Sequence, residues 1–261
     1  MFCVITGAAD GIGRSLAFRF ARDGASVLGI DIDAEKAEQT KSELTGMGAQ
    51  IAFVVADLSK SSEIARVVDE VNKGPSIDLL VQNAEINETG AFQEIDPGLY
   101  GRLIDVNLNA PMVLTSELLS RQKIAGKGTI VFVSSLTYYT GYPGAAVYAA
   151  TKDGIASYAR SLSVALASQD INVLTVFPGP VRTAHAKLHS PNPSLEHRRM
   201  TPEELAEKIF RAVKSRRHVL IPGFKNRAAA RLGQWFPGLT DRTMRKAILE
   251  KMENTEPQAS E

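Results

Sequence analysis

The chain has 261 residues, with 30 lysines and arginines against 29 acids, a formal net charge of +1 and 44% hydrophobic residues. That balance gives no overall attraction to nucleic acid and suits one large α/β domain or two small ones. A single cysteine excludes a disulfide framework, and no run of about 18 apolar residues is present to span a membrane as a helix.

The first predicted strand is FCVIT, and Cys3 within it is expected to be a buried core residue. A strand beginning at Phe2 leaves no room for a leader segment, and the unpaired thiol suits a reducing compartment, so a cytoplasmic location is expected. The stretch ITGAADGIGRSLA follows and opens a helix. Gly7, Gly11 and Gly13 are spaced G-x-x-x-G-x-G, wider at the first interval than the G-x-G-x-x-G fingerprint. Glycines allow a tight turn and close backbone approach, and the helix N-terminus offers free N–H groups to a pyrophosphate. Gly7, Asp10, Gly11, Ile12 and Gly13 are therefore candidate cofactor-binding residues. The competing reading is a glycine turn that only joins strand to helix.

The second predicted strand, SVLGID, ends at Asp31, eighteen residues after Gly13. An acid at that separation grips a ribose 2′-hydroxyl and repels a 2′-phosphate. Its alternative is a turn-starting aspartate. Asp10 adds a second negative group, and the nearby cation, Arg14, falls inside the helix start and faces solvent, so NAD is favoured over NADP. After the third strand, IAFVVAD, Asp57 and Leu58 either meet the adenine edge or, for Asp57, cap the next helix. DLLVQNA, GTIVFVSS, NVLTVFPG and HVLIPG complete seven strands. Most lack alternation, as parallel strands buried on both faces do. Helical patterns close near glycines between them, and MTPEELAEKIFRAVKSRR carries a capping box of Thr201 and Glu204 with Pro202 at the first helical position. The fold class is α/β, a doubly wound Rossmann-type parallel seven-stranded sheet flanked by helices. Residues 1–223 form this domain and residues 224–261 a C-terminal helical extension and tail.

On the helix after VSSLTYYTGYPGAAV, Tyr148 and Lys152 share one face at i and i+4, with Ser135 thirteen residues before the tyrosine. The pair is either a chance polar pair or a phenol tuned to exchange a proton.

The ordered set TGAADGIG, NAE at Asn83 to Glu85, Asn107, Ser135, Tyr148, Lys152 and PGPVRT at Pro178 to Thr183 resembles the short-chain dehydrogenase/reductase family in its single-domain form. The resemblance covers about residues 2 to 223. It implies reversible hydride transfer between a nicotinamide and a secondary alcohol or ketone. By it, Tyr148 is the general acid/base, Lys152 lowers the phenol's pKa and binds the nicotinamide ribose, Ser135 holds the substrate oxygen, and Asn107 completes a proton relay through water and Lys152. Ser134 serves the strand end. Asn83, Ala84, Pro178, Gly179, Val181 and Thr183 join Tyr148 and Lys152 as cofactor contacts, the last group gripping the carboxamide. The resemblance also implies a homodimer or homotetramer.

The family usually has Asn-Asn-Ala-Gly where this chain has Gln82-Asn83-Ala84-Glu85. A glutamate there places a side chain beside the cofactor ribose, strained if φ is positive, and its carboxylate is expected to reach solvent. Tyr138, Tyr139 and Tyr142 are candidates for an apolar substrate wall, the core or an interface. Residues 184–200 correspond to the family's substrate lid. They carry His185, His189 and His197 without a completing cysteine or carboxylate cluster, so no metal is expected. The tail Phe224 to Met252 has seven basic residues, two acids and apolar anchors from Leu232 to Met252, with a break at Pro237-Gly238. It reads as helices packing over the cleft or a partner subunit, or as a basic segment on a membrane surface. Either reading leans toward a lipophilic substrate.

Overall fold

The computed structural model describes residues 1–90, 93, 95–183 and 199–246. All seven predicted strands form: β1 (Phe2–Thr6), β2 (Ser26–Asp31), β3 (Ile51–Val55), β4 (Ile77–Gln82), β5 (Ile124–Val133), β6 (Asn172–Val176) and β7 (Val219–Leu220). They make one sheet in the order β3-β2-β1-β4-β5-β6-β7, and every pairing is parallel. The apolar runs lack alternation because helices cover both faces. On one face lie α1 (Gly11–Ala21), α2 (Ala34–Gly46) and α8 (Pro202–Lys214), where Leu16, Phe20, Leu44, Leu205 and Ile209 meet the sheet. On the other lie α3 (Ser61–Lys73), α5 (Ala110–Ser120) and α7 (Ala146–Ala165), contributing Val67, Val71, Leu114, Leu118, Ile155 and Ala159. The chain reverses direction of winding between β1 and β4, which opens a crevice beyond their carboxyl ends.

Local chemistry sets several boundaries. Thr201 Oγ1 accepts from the Glu204 N–H at 3.1 Å, and the Glu204 carboxylate accepts from the Thr201 N–H at 3.0 Å, so α8 starts with the predicted capping box. β3 ends at Val55, two residues short of expectation. Asp57 does not cap α3, whose N-cap is Lys60. Its carboxylate instead accepts from the Ser59 N–H (3.0 Å) and hydroxyl (2.7 Å), a closed local turn. Between α4 (Gly98–Ile104) and α5 the chain makes a π-helical turn, Asp105–Asn109, which holds Asn107. Short α6 (Thr137–Thr140) follows β5.

The C-terminal extension forms α9 (Phe224–Trp235) and α10 (Pro237–Met244), broken at Phe236. It rests on α6: a Cβ on Gly233 would sit 1.9 Å from the Tyr139 carbonyl oxygen, so only glycine lets α9 approach this closely. The predicted anchors Ile248 and Met252 lie outside the described residues, as does 184–198 with its three histidines. Among the described residues no helix is long and apolar enough to cross a membrane.

Candidate active site

The glycine turn lies at the crevice. Gly7 has φ +66° and Gly11 φ +54°, backbone that side chains rarely adopt. Gly13 is required by packing: a Cβ there would lie 1.9 Å from the Gly7 carbonyl oxygen. Asn83 fastens the turn to the end of β4, its amide donating to the Thr6 and Gly7 carbonyls (3.0 and 3.3 Å), while the Asn83 and Ala84 N–H groups donate to Thr6 Oγ1. Above this floor is a cleft of about 360 Å³ lined by Gly7, Asp10, Gly11, Ile12, Asp31, Asp57, Leu58, Asn83, Ala84 and Thr183. Ten predicted cofactor residues thus share one cavity. Gly13 is absent from its lining because it packs the turn. Gly179 is absent because it faces the Asn226 side chain of α9, 2.7 Å from its Cβ direction. Pro178 accepts from the Leu136 N–H, and buried Val181 pairs with Met200 in a parallel bridge.

The adenosine end differs from the sequence-based picture. Asp31 accepts from the Ala9 N–H (2.8 Å) and the Asp33 N–H (3.1 Å), so it starts a turn and props the glycine loop while still lining the cleft. Asp10 is not a bare negative charge. It caps α1 through the Gly11 N–H and pairs with Lys36 Nζ at 2.7 Å. Although partial burial opposes it, the Lys36 and Gly11 hydrogen bonds hold the Asp10 carboxyl below its usual range. The cation at this end is therefore Lys36, missed in the sequence because it lies inside α2. Arg14 is engaged elsewhere, by Glu43 and over the Phe18 ring. Arg102 of α4 also lines the cleft.

At the other end β5 delivers Ser134 and Ser135, and α7 delivers Tyr148 and Lys152. Ser134 serves the strand end, accepting no role in the cleft: its N–H donates to Val176 and its hydroxyl to the Lys152 carbonyl. The Ser135 hydroxyl stands close enough to the Tyr148 phenol to favour its ionisation. Lys152 is 2% exposed, and its ammonium donates to the Val133 carbonyl at 3.0 Å and lies 5.5 Å from the Tyr148 ring centre. The predicted serine, tyrosine and lysine therefore converge. Tyr142 adds its hydroxyl to the phenol's surroundings, whereas Tyr138 and Tyr139 pack tilted and edge-on against Phe177 under the C-terminal helices. The Asn107 amide is engaged by the Ile86 backbone, accepting from its N–H and donating to its carbonyl, both at 2.8 Å, and by Thr151. It forms no side-chain bond to Lys152.

Glu85 overturns the expectation that its carboxylate reaches solvent. Its φ is not positive, and its carboxylate turns inward: Oε2 pairs with Lys152 Nζ at 2.5 Å and accepts from the Tyr148 hydroxyl at 3.2 Å. Tyr148 is accordingly not acidified. Burial, then the Glu85 charge, raises its pKa well above 10, against the nearby Ser135 hydroxyl, which lowers it. Among the described residues no cluster of histidine, cysteine and acids can hold a metal.

A glycine-floored crevice at the strand-order reversal, bordered by a serine, a tyrosine and a buried lysine, defines a Rossmann-type oxidoreductase that takes a nicotinamide dinucleotide. Comparison with known proteins agrees. The short chain dehydrogenase family model matches residues 2–193. The chain is 33% identical over 216 residues to oxidoreductase UcpA of Escherichia coli strain K12, covering 82% of this chain and 80% of that one. It is similar to the short-chain dehydrogenase of Sphingobium yanoikuyae in complex with NADPH, with a TM-score of 0.80 and 25% identity over 100% of this chain and 98% of that one. It is also similar to the bulky-bulky ketone specific alcohol dehydrogenase of Comamonas testosteroni, with a TM-score of 0.76 and 26% identity over 100% and 96% of the two chains. The chain belongs to the short-chain dehydrogenase/reductase family.

Proposed function

We propose that this protein transfers a hydride between NAD and a secondary alcohol or its ketone, with a lipophilic substrate. The observation that carries the reading is the convergence of Ser135, Tyr148 and Lys152 beside the glycine cleft. When bound, the dinucleotide supplies the hydride acceptor or donor. The chain's own residues do the rest. Gly11 and Ile12 admit the pyrophosphate to the N-terminus of α1, where the N–H groups favour negative charge. Thr183 stands across the turn, its methyl 3.3 Å from the Cβ direction of Gly11, in position to touch the carboxamide side. Ser135 holds the substrate oxygen and Tyr148 gives it a proton in reduction or takes one in oxidation. Lys152 binds the ribose and stands beside the phenol ring. Asn107 holds Ile86 and with it the chain beside Glu85, and, as the family resemblance implies, it completes a proton relay through water and Lys152.

Asp31 in the cleft supports NAD, because a carboxylate repels a 2′-phosphate. Lys36 beside it supports the second reading, NADP, since half of its side chain is exposed and its ammonium faces the same end. The lean to a lipophilic substrate rests on the aromatic extension and on the ketone specificity of the Comamonas enzyme. Exposed Ile104, Val113 and Val164 on α4, α5 and α7 support a homo-oligomer through those helices. The cytoplasmic assignment rests on the lone buried thiol.

A panel of aliphatic and aromatic secondary alcohols and ketones, followed at the nicotinamide absorbance band with both dinucleotides, tests this. Turnover with NAD is expected, lowered roughly 100- to 10,000-fold by Tyr148→Phe. No turnover with any pair, together with no dinucleotide uptake by calorimetry, would sink the reading.

A further inference from the structure

Glu85 occupies the position where the dinucleotide cleft and the catalytic group meet. It lines the cleft, its side chain is 27% exposed, and one of its oxygens touches both Lys152 (2.5 Å) and the Tyr148 hydroxyl (3.2 Å). The chain on either side of it is fixed: Asn83 and Ala84 are tied to Thr6, and Ile86 to Asn107. The backbone that carries the contact is therefore held in place by the fold. Lys152, nearly sealed from water, meets the Glu85 carboxylate and the Val133 carbonyl. Its positive charge is cancelled before it acts on the phenol, since close opposite charges in a poorly solvated site interact strongly.

We propose that Glu85 is a further catalytic residue of this site, which hydrogen-bonds the reacting phenol and neutralises Lys152, so that Tyr148 stays protonated and alcohol oxidation begins only at alkaline pH while carbonyl reduction persists there. The inference rests on the oxidoreductase reading above. In the oxidation the alcohol's hydroxyl proton passes to the Tyr148 phenolate and its C–H hydride leaves to the nicotinamide; in the reduction both return to the carbonyl. Only the first direction needs the phenolate. The phenol is faced by Glu85, Lys152, the Ser135 hydroxyl and Tyr142, with Arg199 acting on Tyr142. Arg102 lines the same cleft from α4, and Asp31, Asp57 and Lys36 stand at its far end.

The test compares wild type with Glu85→Gln, which keeps the shape and removes the charge, and with Glu85→Gly, which removes the side chain. Each is made in the full chain with and without Tyr148→Phe, and folding is checked by circular dichroism. Without dinucleotide, alkaline absorbance titration should give each charge-free variant one extra tyrosine equivalent of phenolate below about pH 10, absent from the partner carrying Tyr148→Phe. With dinucleotide, the alkaline rise of oxidation should move down by at least about one pH unit, roughly tenfold in rate at neutral pH. A titration identical to wild type in both folded variants, or an unmoved profile in an active one, overturns the proposal. Wild-type protein that turns over no substrate refutes the oxidoreductase reading instead, while the titration still decides the role of Glu85.

Discussion

At the scale of single residues, the cofactor end of the site is a contest between two charges. Asp31 presents a carboxylate to the cleft and Lys36 an ammonium, and Lys36 is held by Asp10 at 2.7 Å with Asp33 at 3.8 Å. An exposed pair of this kind contributes no more than about 1 kcal/mol, so a 2′-phosphate can draw Lys36 away at small cost. Lys36→Ala is expected to weaken NADP binding by about tenfold and to leave NAD binding within about twofold, measured by calorimetry with each dinucleotide at one ionic strength. An equal loss for both would remove Lys36 from any part in selectivity. The residues with fixed chemistry were readable from the chain: Ser135, Tyr148 and Lys152 meet as expected. Glu85 was visible only as a substitution, and its partners were not, because Lys152 lies 67 positions away and on another element. Lys36 was hidden for the same reason. A charge inside a helix pattern looks like a solvated face until the fold shows what lies across from it.

At the scale of elements, the strands and helix starts followed from local rules, while their ends depended on tertiary pairing. Thr201 and Glu204 bond each other across three residues, and that spacing is legible in the sequence. β5 starts at Ile124, earlier than its β-branched run suggests, because Ile77 of β4 pairs there before the register shifts. The π-helical turn around Asn107 has no sequence signature as strong, and its reason is the Ile86 backbone that the asparagine must reach. β1 also carries a pH effect. Cys3 is fully buried, and burial pushes its thiol from the ordinary 9.0 to about 12. The folded thiol therefore keeps its proton where the unfolded one loses it. Its contribution to stability is complete below pH 9 and is lost as pH rises toward 12, at about 1.4 kcal/mol per unit. Urea unfolding at pH 8, 9 and 10 should show a decline that Cys3→Ala lessens; the same slope in both proteins would exclude the thiol as its source.

At the scale of the whole molecule, α9 and α10 present two different sides. One packs on α6 through Gly233, and its Asn226 side chain meets Gly179. The other exposes Phe224, Trp235, Phe236 and Leu239, with Arg227 and Arg231 around the same hollow. The packed side rests on α6, and contact of the exposed side with a membrane is a prediction. Aromatic side chains beside cations suit an anionic bilayer surface, where each cation contributes about 1 kcal/mol. Co-sedimentation with vesicles containing anionic lipid is expected, lost at high salt and lost when Trp235 and Phe236 become serine. Binding unchanged by those substitutions would assign the surface to other contacts, including a second copy of the chain.

Val181 and Met200 join in a short parallel bridge, reinforced by the Arg182 N–H on the Met200 carbonyl at 2.9 Å. Residues 181 and 200 are thus held together beside Thr183, whose methyl stands near Gly11 of the glycine turn. Exchanging residues 184–198 for a segment of another length should alter which molecules are accepted while preserving affinity for the dinucleotide.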